Sequence, residues 1–172
     1  MAGAIVETAR LWLRAWEPDD WIAFRRLSGD PRVMRFINTG EPWLDERNQE
    51  FAGRQIRQQE TLGYSMWKLV PKHTGDLSGF CGLQPLPATE ETEIGWWLIP
   101  ELWGQGLATE AAQAVLTYGF ERAGLSRIVA VAQPANRAST RVMEKIGMAF
   151  EKPTVHRGID VVMYAVNRPG RA

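Results

Sequence analysis

Residues 93–110 carry the densest chemistry of this 172-residue chain. Glu93 opens an apolar run through Trp96, Trp97, Leu98 and Ile99, which stops at Pro100; Trp103, Gly104, Gln105, Gly106, Leu107, Ala108, Thr109 and Glu110 follow. The run is rich in strand-forming residues, and an alanine-rich helix starts just past Gly106. Strand, glycine loop and helix N-terminus in succession make an anion site, because the first helical N–H groups have no partner within the helix. Glycine at 104 and 106 removes the Cβ atoms that would hold a phosphate off the backbone. A phosphorylated ligand is therefore expected. A P-loop would place a lysine after its last glycine, where this chain reads Leu107-Ala108-Thr109. A dinucleotide fingerprint would place a third glycine where Thr109 stands, and would follow the first strand of the fold rather than lie past the middle of the chain. Both nucleotide motifs fit poorly.

The elements that must position this loop follow from hydrophobic period and from glycine and proline punctuation. Alternation over 10–13 predicts a first strand. Pro18 at a helix start, with Trp21, Ile22, Phe24 and Leu27 on helical spacing, predicts a helix over 17–28. A short second helix is expected over 31–36, and a surface helix with one apolar stripe over 44–60. Residues 64–70 and 80–83 flank a turn-forming stretch and read as an antiparallel hairpin. Strand 93–99 leads into the central helix, 107–123. The nearly all-apolar run over 127–133 reads as a strand covered on both faces. A helix over 136–146 stops at Gly147, and strands over 150–151 and 159–166 close the chain. The sum is a single α/β domain (α+β), residues 1–172 with a core of about 8–166. Its mixed, largely antiparallel central sheet has about six to seven strands flanked by helices.

Composition sets further bounds. Twenty basic residues balance twenty acidic ones, so no overall field favours nucleic acid or an anionic membrane. One cysteine excludes an intramolecular disulfide and a cysteine-based zinc site, and suits a reducing compartment. No apolar stretch approaches the roughly 18 residues of a membrane span, and the first nine residues lack the pattern of a signal peptide. A cytoplasmic protein is expected. His73 and His156 stand apart and make no metal-ligand cluster, so no metal is expected. Cys81, within an apolar strand, reads as an inert core thiol.

At the glycine loop the chain resembles the GCN5-related N-acetyltransferases (GNAT), whose pyrophosphate loop reads Gln/Arg-x-x-Gly-x-Gly/Ala. Here the pattern is Trp103-Gly104-Gln105-Gly106-Leu107-Ala108, with Trp103 in place of the usual Gln or Arg. The wording Trp-Gly-Gln-Gly-Leu-Ala-Thr-Glu-Ala is similar to the branch of the ribosomal-protein N-terminal acetyltransferases (RimJ/RimL). Three more segments share the resemblance in the right order. They are Thr8 to Arg14 followed by Glu17-Pro18-Asp19-Asp20, Ser78-Gly79-Phe80-Cys81-Gly82-Leu83, and Asn136 to Met148. Together the four span about residues 8–165.

The resemblance implies the GNAT fold and transfer of an acetyl group from acetyl-CoA to a primary amine by direct attack in a ternary complex. The amine would be a protein N-terminal α-amine or a small molecule. It implies that the backbone of Trp97, Leu98 and Ile99 bonds the pantetheine arm, with a Leu98 N–H as oxyanion donor. It also implies that the N–H groups of Trp103, Gly104, Gln105, Gly106, Leu107, Ala108 and Thr109 cradle the pyrophosphate. Such chemistry needs a base for the ammonium proton, donors for the oxyanion and an acid for the thiolate. Glu93 is the carboxylate best placed as base, directly or through water, and shares a strand face with Gly95 and Trp97; a solvated strand-edge charge is its plainer reading. Glu110 suits a helix first turn and reads as structural. Asn136 is a natural N-cap, and the resemblance adds a contact to the CoA arm. Ser139 shares that helix face and could reach the sulfur; a local hydroxyl-to-backbone bond is its alternative.

Many family members carry a tyrosine acid near position 143, where this chain has Met143, which donates no proton. That departure supports two readings. Either Ser139 or water protonates the thiolate, or the chain is a non-catalytic acyl-CoA-binding module. Trp103 could stack on a ligand or plug the base of the loop. Arg137, Arg141 and Lys145 make one basic helix face, which could meet the CoA 3′-phosphate or be merely solvated. Trp16, Trp21, Trp43, Trp67 and Trp96 could wall an acceptor pocket or serve the core. The acceptor and the oligomeric state, a homodimer included, stay open.

Overall fold

The computed structural model describes residues 3–170, so the outer edges of the expected 1–172 domain lie outside the described residues. One sheet runs through β1 Val6–Glu7, β2 Leu11–Arg14, β3 Met66–Pro71, β4 Gly79–Pro85, β5 Thr92–Leu98, β6 Arg127–Ala132, β7 Ala149–His156 and β8 Ile159–Asn167. Its eight strands lie in the order β1-β2-β3-β4-β5-β6-β8-β7. The helices are α1 Asp20–Ser28, α2 Pro31–Met34, α3 Asp45–Leu62, α4 Leu107–Glu121 and α5 Arg137–Lys145. This is the expected mixed, largely antiparallel α/β architecture with a small excess of strands. The extra strand, β1, pairs with β2 through Val6↔Leu13 and Glu7↔Trp12, and two residues are too few to leave a readable period.

Strand β7 is far longer than the expected 150–151. Pro153 reads as a strand breaker, but β7 is an edge strand, where a missing N–H donor is tolerated. Its hairpin with β8 closes through Arg157 (φ 52°) and Gly158 (φ 77°), two consecutive left-handed residues that suit a two-residue turn. Helix α1 begins three residues later than expected, and α2 ends at Met34 rather than 36.

One apolar core wraps both faces of the sheet. On one face α4 lays Leu107, Ala111, Ala112, Val115 and Leu116 against β4 and β5. On the other, α1 and α3 contribute Phe24 and Phe51, whose rings stack at 5.2 Å between centroids. Trp16 meets Phe24 edge-on, also at 5.2 Å, and Phe80 and Trp97 complete the layer from the sheet. Edge-to-face and offset rings of this kind add to plain apolar burial. Lys68, buried on β3, is held by Asp20 at 2.6 Å, which fixes α1 to the sheet.

The joint between β5 and β6 matters most for function. Strand β4 pairs with β5 along seven residue pairs, but β5 meets its parallel neighbour β6 at one pair only, Glu93↔Val129. Past that point the two strands part, and the sheet forks at their carboxyl ends. Such ends are where open α/β sheets hold ligands.

Candidate active site

The fork opens a cavity of about 710 Å3. Its floor holds Glu93, Trp97 and Leu98 from β5, and its rim holds Trp103, Gly104 and Gly106 from the loop. Leu107, Ala108 and Thr109 enter from the first turn of α4, and Asn136 and Ser139 from the start of α5. Of the residues expected to hold the coenzyme, two do not line it. Ile99 is buried in the core and spends its N–H on the Ser78 carbonyl at 3.0 Å. The Gln105 side chain turns back to the Glu101 carbonyl at 2.8 Å.

The direction of the Leu98 amide follows from strand pairing. Gly79 and Leu98 are directly opposite, and the flanking bond runs from Ile99 N–H to Ser78. That pattern makes Gly79↔Leu98 a non-hydrogen-bonded pair, so the Leu98 peptide groups point away from β4 and into the fork. No strand meets them there among the described residues. The Leu98 carbonyl accepts the Trp103 indole N–H at 2.8 Å, so Trp103 plugs the base of the loop even though about half of it stays exposed.

The loop itself has the conformation its glycines allow. Gly104 (φ 72°) and Gly106 (φ 77°) are both left-handed, and Gly106 is the N-cap of α4. A glycine N-cap has no side chain to accept a first-turn N–H. Those of Leu107, Ala108 and Thr109 make no backbone bond among the described residues. The positive end of a fifteen-residue helix therefore faces the cavity bare.

Glu93 is buried, and burial raises its pKa above the usual carboxylate range. A 2.5 Å hydrogen bond from Gln84 and the charges of Arg157 and Arg54 pull the other way without prevailing. A carboxylate whose pKa is raised is a stronger proton acceptor than an ordinary exposed one. Asn136 caps α5, accepting the Ser139 N–H at 3.3 Å. The Ser139 hydroxyl makes no hydrogen bond among the described residues, so the local backbone bond that would explain it away is not formed, and it sits on the cavity wall. Met143, at the usual tyrosine position, is buried against the same cavity, which no tyrosine lines.

An acetyltransferase (GNAT) domain model matches residues 10–149. The chain belongs to the GNAT acetyltransferases. The Bacillus subtilis protein YkkB is 37% identical over 150 residues, covering 84% of this chain and 85% of YkkB. A GNAT-family acetyltransferase structure from Bacillus anthracis is 32% identical with a TM-score of 0.80, covering 94% of this chain and 97% of that one. RimL, a ribosomal L7/L12 N-terminal acetyltransferase solved with coenzyme A, shares the fold at 21% identity and a TM-score of 0.76, covering 93% of this chain and 95% of its own.

This acetyltransferase is thus an N-acetyltransferase whose family uses acetyl-CoA, and its loop and helix end fit a pyrophosphate. Among the described residues no group of three or more His, Cys, Asp or Glu could hold a metal ion, and no helix is long and apolar enough to cross a membrane. Of the tryptophans weighed as pocket walls, Trp43 and Trp96 line the cavity, whereas Trp16, Trp21 and Trp67 do not. Trp67 is fully buried and edge-on to Tyr118. Cys81 is fully buried too, and burial pushes its thiol far above reactivity.

Several residues at and around the site escaped sequence reading. Gln84 orients Glu93, and no local pattern announces a cross-strand partner. His156, expected in a loop, ends β7 on the cavity wall, and burial with the neighbouring Arg157 lowers its pKa. Arg10 braces the loop: its Nη1 donates to the Gln105 carbonyl at 2.9 Å while its Nε is held by Glu110 at 2.7 Å. Glu110, read as a dipole residue, is thus a clamp that also accepts from Thr8 at 2.6 Å. Its pKa lies below the usual value, because hydrogen bonds from Thr8 and Arg10 outweigh burial. Arg10→Ala is expected to weaken CoA binding about three- to tenfold, measured by calorimetry, since about one hydrogen bond's worth of loop order is lost. Unchanged affinity would confine the brace to stability.

Proposed function

We propose that the chain moves the acetyl group of acetyl-CoA to a primary amine by direct attack within a ternary complex. Glu93 accepts the proton of the incoming ammonium group, directly or through a water, so that the neutral nitrogen can attack the thioester carbon. The Leu98 N–H donates to the oxygen on which charge develops. As the C–N bond forms, the C–S bond breaks; the nitrogen sheds its surplus proton to the Ser139 hydroxyl or a water, which passes a proton on to the departing thiolate. Gly104, Gly106 and the first turn of α4 bind the pyrophosphate through backbone N–H groups. The Asn136 amide, whose oxygen is spent on capping, presents its NH2 to the pantetheine arm. Holding both substrates in one cleft supplies much of the acceleration.

The observation that carries this reading is the meeting of Glu93, the Leu98 edge that no strand covers and the bare α4 N-terminus in one cavity. The test is free-thiol release from acetyl-CoA against a panel of amines. Release that depends on one amine class supports it. CoA binding without release from any amine would favour the non-catalytic module to which Met143 points. Ser139→Ala is expected to slow release by less than about tenfold, because water can replace a weak hydroxyl donor; a wild-type rate would give that role to water altogether. The lone buried Cys81 suits a reducing, cytoplasmic setting.

A further inference from the structure

The charges lining the cavity are one-sided. Arg32, Arg35, Arg54, Arg141, Lys145 and Arg157 face a single acid, Glu93, although the whole chain is neutral at 20 basic against 20 acidic residues. Not all of the six are free. Arg32 is spent on Asp30 at 2.6 Å, and Arg35 lies over the Phe36 ring at 5.1 Å. Arg141 and Lys145 belong to α5, beside the proposed CoA arm. Arg54 and Arg157 are different, because both act on Glu93 through their charge. Arg54 comes from the middle of α3 and Arg157 from the tip of the β7–β8 hairpin. Neither has a carboxylate in ion-pair contact among the described residues.

Arg54 sits over the Phe51 ring at 5.5 Å, and the charged groups around it are Arg157, Glu50, Arg47 and Glu93. Crowding by protein and by the other two guanidinium groups disfavours its charge. Its surface is nonetheless open, because it opens onto the cavity. Two cations converging on a partly enclosed space with no carboxylate in ion-pair contact are a site for an anion. The wall beside them is aromatic, with Trp43 against Trp97 at 5.0 Å and Phe80 against Trp97 at 5.0 Å.

Resting on the acetyl-transfer reading, we propose that the acceptor is a small amine that carries its own carboxylate beside an apolar or aromatic body. It belongs to the class of free amino acids. Glu93 meets the amino group, Arg54 and Arg157 hold the carboxylate, and the Trp43–Trp97 wall takes the side chain. A polyamine would bring positive charge to a cavity already rich in it. A peptide N-terminus would place a neutral carbonyl where the two guanidinium groups want an anion.

The experiment compares kcat/KM, by thiol release, for phenylalanine, phenylalaninamide, phenethylamine and spermidine. Phenylalanine is expected to exceed the amide and the simple amine by about tenfold or more, the worth of a charge-assisted pair. Spermidine is expected to rank last. Arg54→Gln and Arg157→Gln should each collapse the acid-to-amide ratio toward one, and Arg54→Lys should keep part of it. An amide or spermidine turned over as well as the acid overturns the inference while leaving acetyl transfer standing. A ratio untouched in both glutamine variants overturns it as well. Should no amine of this set or of the wider panel release thiol, the acetyl-transfer reading fails. Calorimetric binding of phenylalanine to the CoA-loaded protein, lost in both glutamine variants, would then still support the anion site, and its absence in the unsubstituted protein would overturn it.

Discussion

Glu93→Gln is expected to lower kcat by about a hundredfold while CoA binding holds, because a positioned base contributes about that factor or more. The larger consequence is in the pH profile. Burial raises the pKa of Glu93, so the rising limb of kcat/KM should sit above the usual glutamate value of about 4.3, and the glutamine variant should lose it. Folding gives a second readout. A carboxyl whose folded pKa exceeds its unfolded value stabilises the protein in its protonated form. That contribution is present below about pH 4.3 and is lost as pH rises through the folded pKa. Glutamine does not ionise, so the Tm of the variant relative to wild type should climb as pH rises above about 4.3. A parallel shift of kcat/KM with an intact pH limb would show that Glu93 is no base. A Tm difference constant with pH would show that its carboxylate is not destabilised by burial.

Gly106→Val is expected to weaken CoA binding by about a hundredfold or more. At φ 77° a residue with a Cβ costs roughly 1–2 kcal/mol, and a β-branched one more. An added Cβ would meet only the Arg10 guanidinium, at 3.7 Å, so the fold should survive. Gly106 itself lies on the cavity rim, where the phosphates would approach the backbone. Strain and obstruction act together on binding, and both spare the α4 core. Calorimetry with CoA measures the first effect and thermal unfolding the second. Full affinity in a folded variant would move the phosphate site away from this loop.

How far the sequence could be read depended on whether the signal was local. Strand β5, its glycine loop and α4 were legible because their residues are contiguous and each obeys a short-range rule: β-formers, Pro100, two glycines and an alanine-rich start. The Asn136 cap and the inert Cys81 were legible for the same reason. Strand β7 was cut short because Pro153 obeys a different rule on an edge than in a sheet interior, and edge status is set by topology. Placement of His156 failed with it. Gln84, Arg54 and Arg10 reach the site from other elements, and nothing in their own neighbourhoods marks them. The one-sided cavity was hidden as well, since a chain with no net charge gives no hint that six of its cations share one hollow.

The single-pair joint between β5 and β6 reaches beyond catalysis. A free sheet edge deep in a fold is a weak seam, open to water and to local unfolding. On the proposed binding mode the pantetheine arm would close that seam with backbone bonds, and a ligand that binds only the folded chain raises its stability by mass action. Coenzyme supply then becomes a folding variable as well as a reagent. In a cell short of CoA, such molecules would be idle and also softer, and would be cleared sooner by the proteases that survey half-open proteins.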